Sequence, residues 1–257
     1  MPGVATTRLI DMIFPGQTNH HGTLFGGVAL AHMDKVAFIA ASRHAGHASF
    51  VTASCERIDF TAPGRLGEMV EATGRVVRAG RTSLGVEVEL EAENLLTGER
   101  RLLTRGLFNM VAVKPEGGWP EGFHMPPVAP TVDPDDGVLR MVEMVFPQQA
   151  SHYGQLFGGE ALDAMGKAAF ICASRHARQN VTMASSHQID FVSPIKVGEM
   201  VELAARVRRV GRSSMTVEVE LWAEDMLTGE RRRSAEAGFV MVALGPDNRP
   251  IRVPPLP

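Results

Sequence analysis

The chain has 257 residues, 44% hydrophobic and 21% charged, a globular composition with room for one large domain or two ordinary ones. Its 26 basic and 29 acidic residues leave a formal net charge of -3, so no bulk positive field draws it to nucleic acid or an anionic membrane, and neither is expected as a partner. Two cysteines, Cys55 and Cys172, lack any paired spacing; a disulfide scaffold and a cysteine zinc site are excluded, and both thiols are expected in the core. The first eight residues, Met1 to Arg8, carry no basic stretch leading into a hydrophobic run. No apolar run approaches the roughly 18 residues of a spanning helix, so a cytoplasmic location is expected.

In chain order, a short apolar strand is predicted over Arg8 to Phe14, followed by a polar, glycine-rich loop. Gly26 to Ala45 then reads as one helix of about five turns, with Leu30, Met33, Ala37, Ala40, Ala41 and His44 at helical spacing. It is apolar almost all round, so the rest of the domain must wrap it. Gly67 to Val77, Ser83 to Glu91 and Glu99 to Val113 alternate with period two, and Gly80-Arg81-Thr82 and Thr97-Gly98 separate them, as in an antiparallel meander. Lys114 to Gly137 is rich in proline and glycine and reads as a partly stiff linker.

The chain then begins again. Phe14-Pro15 returns as Phe146-Pro147, and His20-x-Gly22-x-Leu24-Phe25-Gly26-Gly27 as His152-x-Gly154-x-Leu156-Phe157-Gly158-Gly159. Ile58-Asp59-Phe60 returns as Ile189-Asp190-Phe191, and Leu96 to Arg101 as Leu227 to Arg232. Such a long period marks a duplicated domain rather than a solenoid. The second copy has its strand at Leu139 to Phe146 and its helix at Gly158 to Ala177. The expected organisation is a first domain over residues 1–113, the linker over 114–137, a second domain over 138–245, and a Pro-rich tail over 246–257 that drapes on the surface or frays. Each domain is an α+β layer of one central helix wrapped by a curled antiparallel sheet of about five strands.

This order of elements, with a glycine pair opening the single helix, resembles the hotdog fold and, more narrowly, the tandem-hotdog acyl-CoA thioesterases. The likeness rests on Pro15-x-x-x-Asn19-x-x-Gly22-x-x-x-Gly26-Gly27-x-x-x-x-x-Met33-Asp34, on Ile58-Asp59-Phe60-x-x-Pro63-x-x-x-Gly67-Glu68, and on Gly80-Arg81-Thr82-Ser83. The second copy repeats nearly all of it. The resemblance implies hydrolysis of acyl-CoA to a free acid and coenzyme A, the coenzyme being part of the substrate, with no further cofactor and no metal. It also implies a homo-oligomer, specifically a trimer of tandem chains.

Thioester hydrolysis needs an activated water or a carboxylate nucleophile, and donors aimed at the developing oxyanion. Free N–H groups at a helix N-terminus supply such donors, which makes Gly26 and Gly158 the oxyanion candidates, although a glycine pair also suits a tight turn. Asp34, on a helix otherwise starved of charge, is the candidate base or nucleophile; its counterpart is Gly166, while neighbouring Lys35 is kept as Lys167. Eight residues separate Gly26 from Asp34, about 12 Å along one helix, so the carboxylate needs the glycine loop of another hotdog. In the resembling family the helices of two hotdogs pack antiparallel and share sites in this way. The expected composite site joins Asp34 to the second copy's loop, with Ser151, His152 and Gly158, since the short linker keeps the tethered copy at high effective concentration.

The reciprocal site would carry Asn19, His20 and Gly26 but no carboxylate; Asp163 is a weak substitute, and Glu160 stands too near the loop. Asn19, Ser151 or His152 would orient the thioester, although both histidines are better read as loop caps. The coenzyme's phosphates need cations or free N–H groups. The resemblance places Arg81, Thr82 and Ser83, with Arg212, Ser213 and Ser214, near the pantetheine and nucleotide, and Arg57 is a further candidate. Glu99-Arg100-Arg101 and its repeat read as hairpin-edge charges. The alternative function is a catalytically decayed acyl-CoA binding or regulatory protein; a hydratase ranks last for want of an Asp–His pair at the helix opening.

Overall fold

A computed structural model describes residues 6–46, 48–114, 116–131, 133, 134 and 136–256, with the backbone alone at residue 188. Met1 to Ala5, Pro115 of the linker and Pro257 of the tail lie outside them. The chain divides into two compact units, one built mainly from Met1–Glu93 and Arg100–Pro134, the other from Asp135–Asp225 and Glu230–Pro257.

In the first unit β1 (Thr7–Met12) leads through a one-turn 3-10 helix (Pro15–Gln17) into α1 (Gly26–Ala45). Strands β2 (Phe50–Cys55), β3 (Met69–Ala79), β4 (Ser83–Glu93) and β5 (Arg100–Ala112) follow, and the antiparallel sheet has the order β1-β3-β4-β5-β2. The second unit repeats the plan with β6 (Leu139–Met144), α2 (Gly158–Ala177), β7 (Asn180–Phe191), β8 (Met200–Val210), β9 (Ser214–Glu224) and β10 (Arg231–Leu244), in the order β6-β8-β9-β10-β7. This is the hotdog architecture expected, with both helices at the predicted bounds. The first strands stop two residues early, because Pro15 and Pro147 open the 3-10 turns that carry the chain to the glycine loops.

Helix and sheet meet over a core that includes Met33, Val36, Ala37 and Ala40 from α1 and Val70, Ala72, Val86, Val88 and Met110 from the strands. Close approach is possible because β3 has Gly74 under the helix, where a Cβ would stand 3.2 Å from the Val36 carbonyl oxygen and 3.3 Å from the Ala40 Cβ. Leu30 departs from the predicted stripe and is exposed.

The two copies differ along the strand that follows the helix. Ile189-Asp190-Phe191 lies within β7, but β2 stops at Cys55 and Ile58-Asp59-Phe60 runs as irregular chain. The first copy has Gly106 on β5, and the Ile58 side chain fills the space a Cβ would occupy there, 2.8 Å from its ideal position. Ala237 holds the corresponding place in β10, so Ile189 cannot lean in and the strand continues.

One expectation needs correction and two gain detail. Cys55 is not in the core: it is exposed on β2, and only Cys172 is buried. Of the two expectations for the tail, draping on the surface is the one observed. Val253 is buried, its N–H donates to the Arg212 carbonyl at 3.0 Å, Ile251 N–H donates to Ala243 at 2.9 Å, and His176 Nε2 donates to the Pro254 carbonyl at 3.0 Å. The linker packs the same way onto the first copy, with Met125 buried, its N–H on the Arg81 carbonyl at 3.1 Å, and His44 Nε2 on the Pro126 carbonyl at 3.0 Å. Apolar side chains between the prolines, including the stacked Trp119 and Phe123, are what hold these segments down.

Candidate active site

Each glycine loop is a closed unit. Gly22 and Gly154, both with φ 71°, make the tight reversal that only glycine adopts freely. Asn19 N–H donates to Thr23 at 2.8 Å and Ser151 N–H to Gln155 at 2.7 Å. The Asn19 side chain is spent inside its own loop: its Oδ1 accepts from the His21 N–H at 2.9 Å and the Thr23 N–H at 3.3 Å, and its amide meets Thr23 Oγ1 at 2.9 Å. Ser151 does less of the same work, accepting from the Tyr153 N–H at 3.4 Å. The histidines do not cap the loops as expected; His20 lies against His21 and His152 against Tyr153, at ring separations of 3.8 and 3.9 Å.

The loops deliver the chain to helix N-termini that no side chain caps, since the N-cap residues are Phe25 and Phe157. The first amides with internal partners are those of Val28 and, in α2, Glu160. Among the described residues the Gly26, Gly27, Gly158 and Gly159 N–H groups have no acceptor, so two donors at the positive end of each helix dipole stand available.

The glycines of each pair have different tasks. A Cβ on Gly27 or Gly159 would lie 2.7 or 2.9 Å from the N-cap phenylalanine ring, so these are glycines for packing. A Cβ on Gly26 or Gly158 meets only Phe60 or Phe191 at an ordinary 3.9 Å, and these glycines leave the amide open to a ligand. Gly26 and Phe60 line a cavity of about 330 Å³, and Gly158 and Phe191 one of about 220 Å³. Free amides beside an aromatic wall suit a thioester, whose carbonyl is polar and whose flanks are not.

An ion pair absent from the sequence reading braces each loop. Arg101, far from being a hairpin-edge charge, reaches buried Glu68 with both guanidinium arms and donates to the Pro63 carbonyl at 2.7 Å. Glu68 also accepts from the Arg65 N–H at 2.8 Å, and the adjoining Gly64 carbonyl receives the Leu24 N–H from the glycine loop. Burial pushes the Glu68 carboxyl up, but bonding to Arg101 and the Arg65 amide and the charges of both arginines outweigh it and hold it below the usual carboxylate range. Arg232, Glu199, Pro194 and Lys196 repeat the brace in the second copy.

Asp34 is half-buried midway along α1, and its partner comes from β2. Thr52 Oγ1 donates to Asp34 Oδ1 at 2.5 Å, fixing the carboxylate while Oδ2 stays open. Thr52 was not legible in the sequence, because only the packing of α1 against β2 brings residues 18 apart together. In the second copy Gly166 and Met183 hold these positions, and the Met183 methyl stands 3.2 Å from where a Gly166 Cβ would be. Asp163 and Glu160 are exposed.

Arg81-Thr82-Ser83 and Arg212-Ser213-Ser214 form the β3–β4 and β8–β9 turns, where Gly80 and Gly211 permit contact with the Ser83 and Ser214 hydroxyls. The second turn and the tail enclose an open cleft of about 940 Å³, whose lining includes Arg212 and Arg252. Arg252 was missed because the tail was not expected to pack. Arg57 stands apart, exposed on the chain after β2 and paired with Asp59 at 2.9 Å.

A helix opened by uncapped glycine amides, wrapped by a curled sheet and present twice, defines a hotdog-type site for an activated carbonyl. The chain belongs to the thioesterase superfamily, whose family model matches residues 21–99 and again residues 153–230. It is similar over 97% of its length to the crystal structure of an acyl-CoA hydrolase from Agrobacterium tumefaciens, at 53% identity and a TM-score of 0.87 over 98% of that chain. It is also 24% identical over 289 residues to the cytosolic acyl coenzyme A thioester hydrolase of Rattus norvegicus, covering 94% of this chain and 75% of that protein. With the acetyl-coenzyme A thioesterase of the same organism it shares 27% identity over 272 residues, or 87% of this chain and 48% of that protein.

Proposed function

We propose that the chain is an acyl-CoA thioester hydrolase, converting acyl-CoA and water to a carboxylic acid and coenzyme A. The carrying observation is the hydroxyl-fixed Asp34 carboxylate in a duplicated fold whose helix-opening amides are left free. The 53% identical acyl-CoA hydrolase, matched end to end, supports the same reaction.

In this reading Asp34 Oδ2 takes a proton from water, or attacks the carbonyl itself, and the amide of Gly158 on an opposing hotdog holds the oxyanion. Thr52 keeps the carboxylate aimed. Coenzyme A leaves as a thiolate, whose pKa near that of a free thiol, ~8.5, removes the need for a strong general acid. Ser151 and His152 border the oxyanion loop, and the Arg81-Thr82-Ser83 turn on the hotdog that carries Asp34 takes the phosphates. Arg81→Ala should raise KM for acyl-CoA but not for an acyl-pantetheine lacking the nucleotide.

A homo-oligomer belongs to the same proposal, with a trimer of tandem chains as its specific form, and so does a cytoplasmic location. β2 supports assembly: it is a sheet edge exposed from Val51 to Cys55. Light scattering at three chain masses is the expected result. The pairing itself is tested by mixing Asp34→Ala and Gly158→Ala chains. Pairing within a chain leaves mixed oligomers inactive, whereas pairing between chains restores part of the turnover.

A further inference from the structure

We propose that the second hotdog holds a coenzyme A thioester without cleaving it, at a site distinct from the hydrolytic one. The proposal rests on the reading of Asp34 and an opposing glycine loop as the hydrolytic set. Thr52 pairs across the sheet with Met110, and Met183 pairs in the same way with Met241, so Gly166 and Met183 stand where Asp34 and Thr52 do. Both members of the polar pair have been replaced together. A lone Asp→Gly change would leave a hollow beside a hydroxyl; here the Met183 methyl, 3.2 Å from the missing Cβ, fills it. The position has become an apolar plug, able to lie against a thioester but with no group to activate water.

The binding end of this hotdog carries one more guanidinium group than its counterpart. The cleft of about 940 Å³ is lined by Gly211, Arg212, Ser213, Arg252, Val253 and Leu256 among others. Neither arginine has a carboxylate partner among the described residues. Hydrogen bonds from Val253 and Ile251, and the one His176 donates to Pro254, hold the tail on both sides of Arg252, so its guanidinium is presented rather than trailing. In the first copy the matching segment, Phe123-His124-Met125-Pro126-Pro127, puts a histidine in place of Arg252. Gly166 lies 11 residues before Ala177 at the end of α2, about 16 Å along the axis. His176, near that end, bonds the tail beside the cleft, so the guanidinium pair lies toward the C-terminal end of α2 from the plug. Two guanidinium groups on the same hotdog as an apolar wall fit the phosphates of coenzyme A, with its arm laid toward Met183.

The test titrates the wild-type oligomer with a thioether analogue of an acyl-CoA, which cannot be hydrolysed at any site. Two molecules bound per chain are expected, and Arg252→Ala should weaken one of the two at least tenfold. One molecule per chain would overturn the proposal. A second experiment asks whether the plug silences the site: Gly166→Asp with Met183→Thr, placed in the Asp34→Ala chain, should return thiol release well above that of Asp34→Ala alone. A triple variant with a wild-type melt and no turnover would overturn that half. Failure of the hydrolytic reading is seen separately, as unchanged turnover in Asp34→Ala itself, and leaves the analogue stoichiometry readable.

Discussion

Replacing Gly158 with alanine should move stability and activity in opposite directions. The new Cβ would meet only the Phe191 ring, at 3.9 Å, an ordinary contact that requires nothing to shift. Alanine is the better helix former by up to about 1 kcal/mol, so the melting temperature should rise by roughly 1–4 °C. The same methyl sits beside the amide assigned to the oxyanion, and loss of one such donor costs about 10²–10³ in kcat. Gly159→Ala is the control. Its Cβ would fall 2.9 Å from the ring of the exposed Phe157, which must shift to admit it, so no gain in stability is expected. Both variants are read by a thermal melt and by free-thiol release from acyl-CoA. If Gly158→Ala were more stable and fully active, its amide would not be the oxyanion donor; if it lost stability and activity in parallel, the glycine would serve only packing.

Glu68→Gln should destabilise the first copy by about 1.5–3 kcal/mol, because the half-buried Arg101 loses its charged acceptor, and the melt should show it. Since the folded Glu68 carboxyl lies below its unfolded value, the wild-type pair contributes fully above pH ~4.5. That contribution fades as the pH falls through the folded value, so the wild type should lose more stability on acidification than Glu68→Gln. Cys172, whose thiol burial pushes up to about 11, should react with a thiol reagent only on unfolding; mass spectrometry of the labelled peptide decides. Truncation after Pro250 should lower the melting temperature, with roughly 1.5–3 kcal/mol lost from unburying Val253 alone.

Much of this architecture was readable in the sequence because local signals agreed with it. Both helices begin at glycine pairs and carry apolar residues all round, and β3 to β5 alternate cleanly between turns rich in glycine. β2 escaped notice because Val51 to Cys55 is a short run of mostly small residues with little apolar contrast, and the strand proves exposed on both faces. The tail and linker misled by their prolines. Their own repeat, Met125-Pro126-Pro127 against Val253-Pro254-Pro255, was the signal that they pack alike, but it sits at a different offset from the rest of the duplication. Asp34 could be picked out as a charge on an apolar helix. Thr52, Arg101 and Arg252 could not, because each acquires its role from a partner far away in sequence.

The central claim is that Asp34 drives thioester cleavage. Purified wild-type and Asp34→Asn proteins, assayed for thiol release across acyl-CoAs from acetyl to palmitoyl, test it most directly. Asn keeps the size of the side chain and can still face Thr52, so the melt should change little while kcat falls by about 10²–10⁴ on every substrate the wild type cleaves. Hydrolysis by the Asn variant at the wild-type rate, or a wild-type protein that releases no thiol from any member of the panel, would contradict the account.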